Sequence, residues 1–416
     1  MTNMTKNAKM IITLTIIAAT LVAIVVVAIT VRNKNINISP TPFITKEPTP
    51  SFTPLPTAVP SPTPVPIEEV VKEIRNNIKD NVGAVYLTGT SAGSNTKIDK
   101  IIEIAKKTQL NAVVIDIKED GVVNYQSNVP EVMDYGSYVK YYNPEPLIKK
   151  LHENGLYVIG RLVCFRDTVL AEKRSDLAIK SASGKVWKKN GFSWSNPYNT
   201  EVWDYNIAIA KEAVSKGFDE IQFDYVRFPE GSSKSFAYGV NPPDKSDTIS
   251  DYLKKVKTEI TEVPISADIF AIVIESKIDG TAIGQLIEKV GMDIDYISPM
   301  IYPSHYANSA KRGFNANGVG QNINGIKFTA PDLKPYEVVN NALLKAKKKI
   351  SAIKGYKAKV RPYLQAFTAS YLPNGYWMKY GSTQTKAQIK AVKDAGYSGW
   401  IFWDPYNRYS ENMFYQ

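Results

Sequence analysis

Apolar and polar positions alternate in blocks along most of this chain. From Gly83 onward, apolar runs of about six residues are separated by longer amphipathic stretches, the pattern of strands alternating with helices around a parallel sheet. The runs predict strands at Ala84–Leu87, Ala112–Ile117, Tyr157–Cys164, Glu220–Tyr225, Ile265–Ile269, Tyr296–Ile301, Val360–Ala366 and Gly399–Trp403. The stretches between predict helices near Lys97–Lys107, Pro144–Glu153, Glu201–Lys216, Ser246–Glu262, Gly284–Val290, Tyr336–Ile353 and Thr385–Ala395. Gly155, Gly217 and Gly396 fall where a left-handed helix cap is wanted. Eight strands with helices between them is the count of an α/β (β/α)8 TIM barrel. An open dinucleotide-binding sheet would want Gly-x-Gly-x-x-Gly after the first strand, where this chain reads Thr-Gly-Thr-Ser-Ala-Gly-Ser over 88–94.

A different pattern precedes the barrel. Met10–Val31 is 22 residues without a charge, and as a helix it would run about 33 Å, enough to cross a bilayer core. Its length and its β-branched end followed by Arg32 predict an uncleaved signal-anchor, with residues 1–9 as a short cytoplasmic N-terminus. Residues 32–66 read as a Pro/Thr-rich extracellular linker, since Ser39–Pro66 holds 10 of the 25 prolines. Proline fixes φ and donates no hydrogen bond, so this segment predicts an extended tether. Charges flank the span on both sides, so the linker rather than the charge bias argues for a barrel outside the cell. Helical spacing of Val70, Val71, Ile74 and Ile78 predicts a short helix opening the barrel unit, 67–416.

Net charge changes the picture little. The formal +11 becomes +7 once the first 66 residues are set aside, from 46 Lys/Arg and 39 Asp/Glu. The excess is spread out, and Lys347–Lys349 reads as the solvated face of a helix. An acidic wall polysaccharide suits such a surface; no nucleic-acid motif is present. The single cysteine, Cys164, lies in an apolar run and predicts a buried thiol, so the fold rests on its core.

Polar residues gather at one end of the strands. Asp116, Lys118 and Glu119 close the second; Arg161, Arg166 and Asp167 the third; Asp224 and Arg227 the fourth; Asp268 the fifth. Tyr302 and His305 follow the sixth, Gln365 ends the seventh and Asp404 the eighth. In a parallel barrel all of these converge on the C-terminal rim, where chemistry is done. Many carboxylates and only two histidines favour acid/base work by carboxyl groups, as glycosidic cleavage requires. They do not favour a metal-dependent deacetylase, and no metal or other cofactor is called for. His152 lies on a helix and is expected at the surface. Trp187, Trp194 and Trp377 in polar loops and Trp403 at the eighth strand are candidates to stack on sugars, whereas Trp203 and Trp400 are expected in the core.

Several of these blocks resemble a known family. Tyr86-Leu87-Thr88-Gly89, Val114-Ile115-Asp116-Ile117-Lys118, Phe218 through Pro229, Ser298 through Pro303 and Arg361 through Phe367 resemble a bacterial glycoside-hydrolase-like barrel family long catalogued as a domain of unknown function. The resemblance spans 84–404 and implies a TIM-barrel glycosidase, commonly anchored to a membrane or secreted. By the logic of related barrel glycosidases, Asp224 is the expected nucleophile. Asp268 is first choice for its acid/base partner, ahead of Glu119, Asp116 and Asp404. The remaining rim residues are then expected to bind a polysaccharide substrate. Chitinase-like barrels carry Asp-Gly-x-Asp-x-Asp-x-Glu on this strand; here Gln222 and Val226 stand at the middle Asp and the Glu, so substrate-assisted chitinase chemistry lacks its acid. The competing expectation is a carbohydrate-binding barrel without turnover.

Overall fold

The chain divides into residues 1–63 and 64–416. The structure, a computed structural model, describes residues 66–231, 236–238, 241–306 and 321–415. The expected membrane span, and all but the last residue of the linker, lie outside the described residues. Among those described, no helix is long and apolar enough to cross a membrane.

Eight parallel strands close on themselves: β1 (Gly83–Leu87), β2 (Ala112–Glu119), β3 (Tyr157–Val163), β4 (Glu220–Asp224), β5 (Ile265–Phe270), β6 (Tyr296–Ile301), β7 (Tyr363–Gln365) and β8 (Trp400–Trp403). Closure is made by β1, which pairs with β2 at Ala84↔Ala112 and with β8 at Ala84↔Ile401. The principal helices are α1 (Ile67–Ile78), α2 (Asn95–Lys107), α3 (Pro144–His152), α4 (Thr200–Ser215), α5 (Lys245–Glu259), α6 (Ile287–Val290), α7 (Pro335–Ser351) and α8 (Ser382–Asp394). Gly155, Gly217 and Gly396 follow α3, α4 and α8 at φ of 74°, 104° and 84°, which only a residue lacking Cβ adopts without cost.

Strand alternation sorts the apolar residues into two sets. One face, with Val113, Val158, Ile221 and Phe402, packs under the helices. The other, with Ala84, Val114, Ile159, Tyr363 and Ile401, fills the barrel. Buried polar side chains share that interior. Near its floor Glu220 accepts from Ser266 Oγ at 2.6 Å and pairs with Arg361. Midway, Tyr363 donates to Gln222 Oε1 at 2.6 Å. α1 packs across the floor, where Ile74 joins the interior set and Arg75 pairs with Asp219 at 2.8 Å.

Four expectations change. His152 is buried rather than at the surface, with Nε2 2.8 Å from Asp219 Oδ2, because α3 turns that face inward onto the start of β4. The seventh strand is broken: Lys359–Val360 pairs with β6, and pairing resumes at Tyr363. Pro362 has no N–H for the ladder. The helix expected at Gly284–Val290 is only α6, since Gly284 at φ 79° ends a preceding turn at Lys277–Ile283. Cys164 and Trp400 are buried, as the pattern implied, whereas Trp203 is only partly buried against the core, with its indole N–H on Pro197 O at 2.7 Å.

Candidate active site

At the C-terminal ends of β2–β5 one guanidinium gathers three carboxylates. Arg161 alternates inward on β3, its neighbours on β2 and β4 being Asp116 and Gln222. It donates to Asp224 Oδ2 through Nε (2.9 Å) and Nη2 (2.6 Å), and through Nη1 to Asp116 Oδ1 (2.6 Å) and Glu119 Oε2 (2.7 Å). Tyr86 donates to the other Asp116 oxygen at 2.5 Å. Burial, partly opposed by Arg161, pushes Asp116 up to about 6.

Glu119 reaches the mouth because β2 breaks register between Asp116 and Lys118. Such a bulge places two successive side chains on one face and re-aims the next. Ile117 joins the outer core, and Lys118 also points outward, bonding Asn206 on α4 (2.8 Å) and Asp167 (2.7 Å). The strand then turns at Asp120-Gly121, with φ 46° and 87°, and pairs back through Val122–Val123. Glu119 thus stands between Arg161 and Arg166, and pairs with both.

Asp268 is the contrasting carboxyl. β4 and β5 pair at Phe223↔Ala267, so Asp224 and Asp268 are next neighbours on adjacent strands, which lie about 4.8 Å apart. Asp268 is buried, and its Oδ1 has no hydrogen-bond partner among the described residues. Burial first, then the charge of Asp224, hold its pKa well above the ordinary carboxylate range. A group so placed favours its protonated form.

Facing the charged half, β6 to β1 supply an aromatic wall. Trp403 stacks on Tyr302 with centroids 5.7 Å apart and lies 6.3 Å from Tyr86, and Phe367 meets it edge-on at 5.3 Å. His305 touches Tyr302 at 5.1 Å, and burial pulls its pKa down to about 4.

The remaining candidates have other engagements. Asp167 caps a short helix through Leu170 N (2.8 Å) besides its pair with Lys118. Gln365 bonds Ser304 and Asp332. Asp404 caps its own loop at Tyr406 N (2.9 Å) and pairs with Arg408. Trp187 packs on Phe236 at 4.9 Å, and Trp194 is buried against Tyr225 at 5.8 Å. Tyr225, not among the expected residues, adopts φ 48° just after Asp224, with Arg166 4.0 Å and Arg227 5.1 Å from its ring. Tyr86 was also missed, although strand alternation already put it on the inward face with Asp116. Among the described residues no group of three or more His, Cys, Asp or Glu could hold a metal ion.

A closed parallel barrel with its charged side chains at the C-terminal ends of the strands is the arrangement in which barrel enzymes carry their sites. Residues 84–409 match the family described as "putative glycosyl hydrolase domain", and the chain belongs to that family. The glycoside hydrolase domain of PgaB (BpsB) from Bordetella bronchiseptica shares the fold, with a TM-score of 0.53 at 11% identity over 81% of this chain and 99% of that one. A hypothetical protein from Ruminiclostridium thermocellum is 44% identical over 44% of this chain and 96% of its own, with a TM-score of 0.43. The spore cortex-lytic enzyme SleL of Bacillus megaterium aligns at 14% identity over 81% of this chain and 73% of its own, with a TM-score of 0.46. No curated protein matches the chain.

Proposed function

We propose that the barrel hydrolyses a cell-wall or cell-surface polysaccharide, with Asp224 as nucleophile and Asp268 as acid/base. The observation that carries this reading is the inequality of two neighbouring carboxyls. Asp224 receives only donors, two from Arg161 and one from Tyr225 N at 2.6 Å. Burial and the charge of Asp224 push the Asp268 pKa up, and its Oδ1 has no hydrogen-bond partner among the described residues. Two neighbouring carboxyls with such unequal partners are how glycosidase sites divide acid from nucleophile. Glu119, tied to two arginines, is the weaker acid candidate. Asp116, Arg161 and Arg166 then position the carboxylates, and Tyr302, His305 and Trp403 flank the sugar. In the full chain, residues 10–31 anchor the protein and 32–66 hold the barrel outside the membrane.

One observation favours the second reading, a barrel that binds glycan without turnover: both oxygens of Asp224 are already engaged. Incubating wild-type and Asp224→Asn chains with purified wall polysaccharide separates the two. The hydrolase reading expects new reducing ends from wild type alone and equal sedimentation of both proteins with the glycan. Equal binding with no reducing ends from wild type on any wall glycan would leave the second reading standing.

A further inference from the structure

One charge at the mouth has no ion-pair partner among the described residues. Arg227, three residues past Asp224, is 6% exposed. Its Nη1 donates to Phe228 O at 2.9 Å. Among the described residues its other N–H groups have no acceptor, and no carboxylate lies within ion-pair distance. Asp224 is committed to Arg161, and Glu230, in the same loop, is exposed. The guanidinium is instead surrounded by rings, 4.3 Å from Phe270, 5.0 Å from Trp194 and 5.1 Å from Tyr225. Rings are attractive to a guanidinium over their faces but cannot neutralise it. Burial pulls its pKa down, opposed in part by the charge of Glu230 and, further down, of Asp224.

Its place in the fold is set by the same rings. Tyr225 directly follows Asp224. Phe270 ends β5 two residues past Asp268 and packs on the helix-side set. Arg227 therefore lies at the edge of the mouth on the Asp224 side, near enough to feel the charge of Asp224. A hydroxyl could accept one of its free N–H groups, but a carboxylate meets the planar fork with two parallel bonds and cancels the charge, roughly doubling the strength of each bond. The unbonded N–H groups of Arg227 are not among the fully buried polar atoms, so they are within reach of an incoming ligand.

We propose that Arg227 forms a subsite for a sugar bearing a carboxylate, either a uronate or a carboxyl-ether sugar, beside the scissile bond. The polysaccharide is thus an acidic one. This inference rests on the hydrolase reading only for the position of the bond.

The test measures binding on the full-length Asp224→Asn chain, so that turnover plays no part. The probes are hexuronate oligosaccharides and N-acetylmuramic-acid-containing glycan fragments, each beside its carboxyl-reduced form. At least one acidic probe is expected to bind about tenfold or more tighter than its reduced form. Adding Arg227→Met should erase that preference, and Arg227→Lys should retain part of it. Equal affinity for acidic and reduced forms in both arms, no binding of either acidic probe, or a preference that survives Arg227→Met overturns the subsite. Should the Met variant fail to fold, salt titration of the Asp224→Asn chain decides. Salt must weaken the acidic form alone, and an equal response of both forms overturns the proposal. Asp224-dependent cleavage without a charge preference removes only this inference; a charge preference without cleavage by wild type removes only the hydrolase reading.

Discussion

Strand β4 carries one acid to each end of the barrel, and the two ends treat it differently. At the floor, Glu220 accepts from Ser266, Arg361 and Tyr157, so both its oxygens are met. Arg361 keeps two buried donors, Nε and Nη1, without acceptors among the described residues, but lies 4.4 Å over the Tyr296 ring. At the mouth the buried unmet atoms of charged groups are Arg166 Nε and Asp268 Oδ1, and only the second belongs to a carboxyl. The difference is chemical. An arginine cannot shed its proton and must be packed, whereas a carboxyl can take one up and later give it away. An ion pair closed on itself and buried sets structure; a carboxyl left over beside a charged neighbour is equipped for proton transfer. A cleft of about 610 Å³ at the floor end, lined by Asn81, Asn111, Asn154 and Tyr397 among others, contains no carboxylate, so open volume alone does not mark the chemistry.

The sharpest break of this contrast is Asp224→Asn. It should cost turnover by about 10⁴-fold or more, since removing a nucleophile removes the covalent step, while Arg161 keeps Asp116 and Glu119 and the fold survives. Reducing-end release and a thermal melt on the same sample check both halves. A melt that collapses together with activity would make Asp224 a second Glu220.

Asp268→Asn should cost about 10²–10⁴-fold and change the pH profile. The acid must be protonated to serve the leaving oxygen, so wild-type rates fall as pH rises through its elevated pKa. That alkaline limb should vanish in the variant, and aryl glycosides with good leaving groups should lose least. An unchanged limb would hand the role to another carboxyl.

Glu220→Gln tests the opposite end. Breaking one partner of a buried pair strands Arg361, at a cost of about 3–5 kcal/mol. The urea midpoint should fall accordingly, while kcat of the protein still folded stays near wild type. A drop in kcat with normal stability would contradict the division of labour between the two ends.

How much of this was legible in the chain depended on the distance over which each feature is decided. The strand and helix blocks and the glycine caps are local, and so is the drift of polar residues to one strand end. Glu119 was a candidate by its place in the chain, yet its inward aim depends on the bulge at Ile117–Lys118, a mismatch with β3 that β2 alone does not disclose. His152 turned out buried because its partner, Asp219, lies 67 residues away. Asp167 and Asp404 share the rim pattern, but cap their own loops. Arg227 carries the same charge as Arg161, and only the ring nest from three separate segments distinguishes a cation that lacks an anion from one that holds three.

The smallest effect concerns two groups at the mouth whose titrations oppose each other. His305 has its pKa depressed by burial to about 4, from 6.5. The unfolded chain therefore binds its proton first as pH falls. This contribution is present above pH 6.5 and is lost between 6.5 and 4, to roughly 3 kcal/mol at most. Asp116 is raised to about 6 from 3.8, so the folded chain binds that proton first, and stability is gained as pH falls from about 6 to 4. In wild type the two slopes nearly cancel across this window, and the other carboxylates form a background common to every variant. His305→Gln should therefore gain stability relative to wild type as pH falls from 6.5 to 4. Asp116→Asn should lose it over nearly the same range. Urea midpoints at half-unit steps from pH 4 to 7 read both slopes, and parallel curves for all three proteins would mean that neither group titrates with the fold.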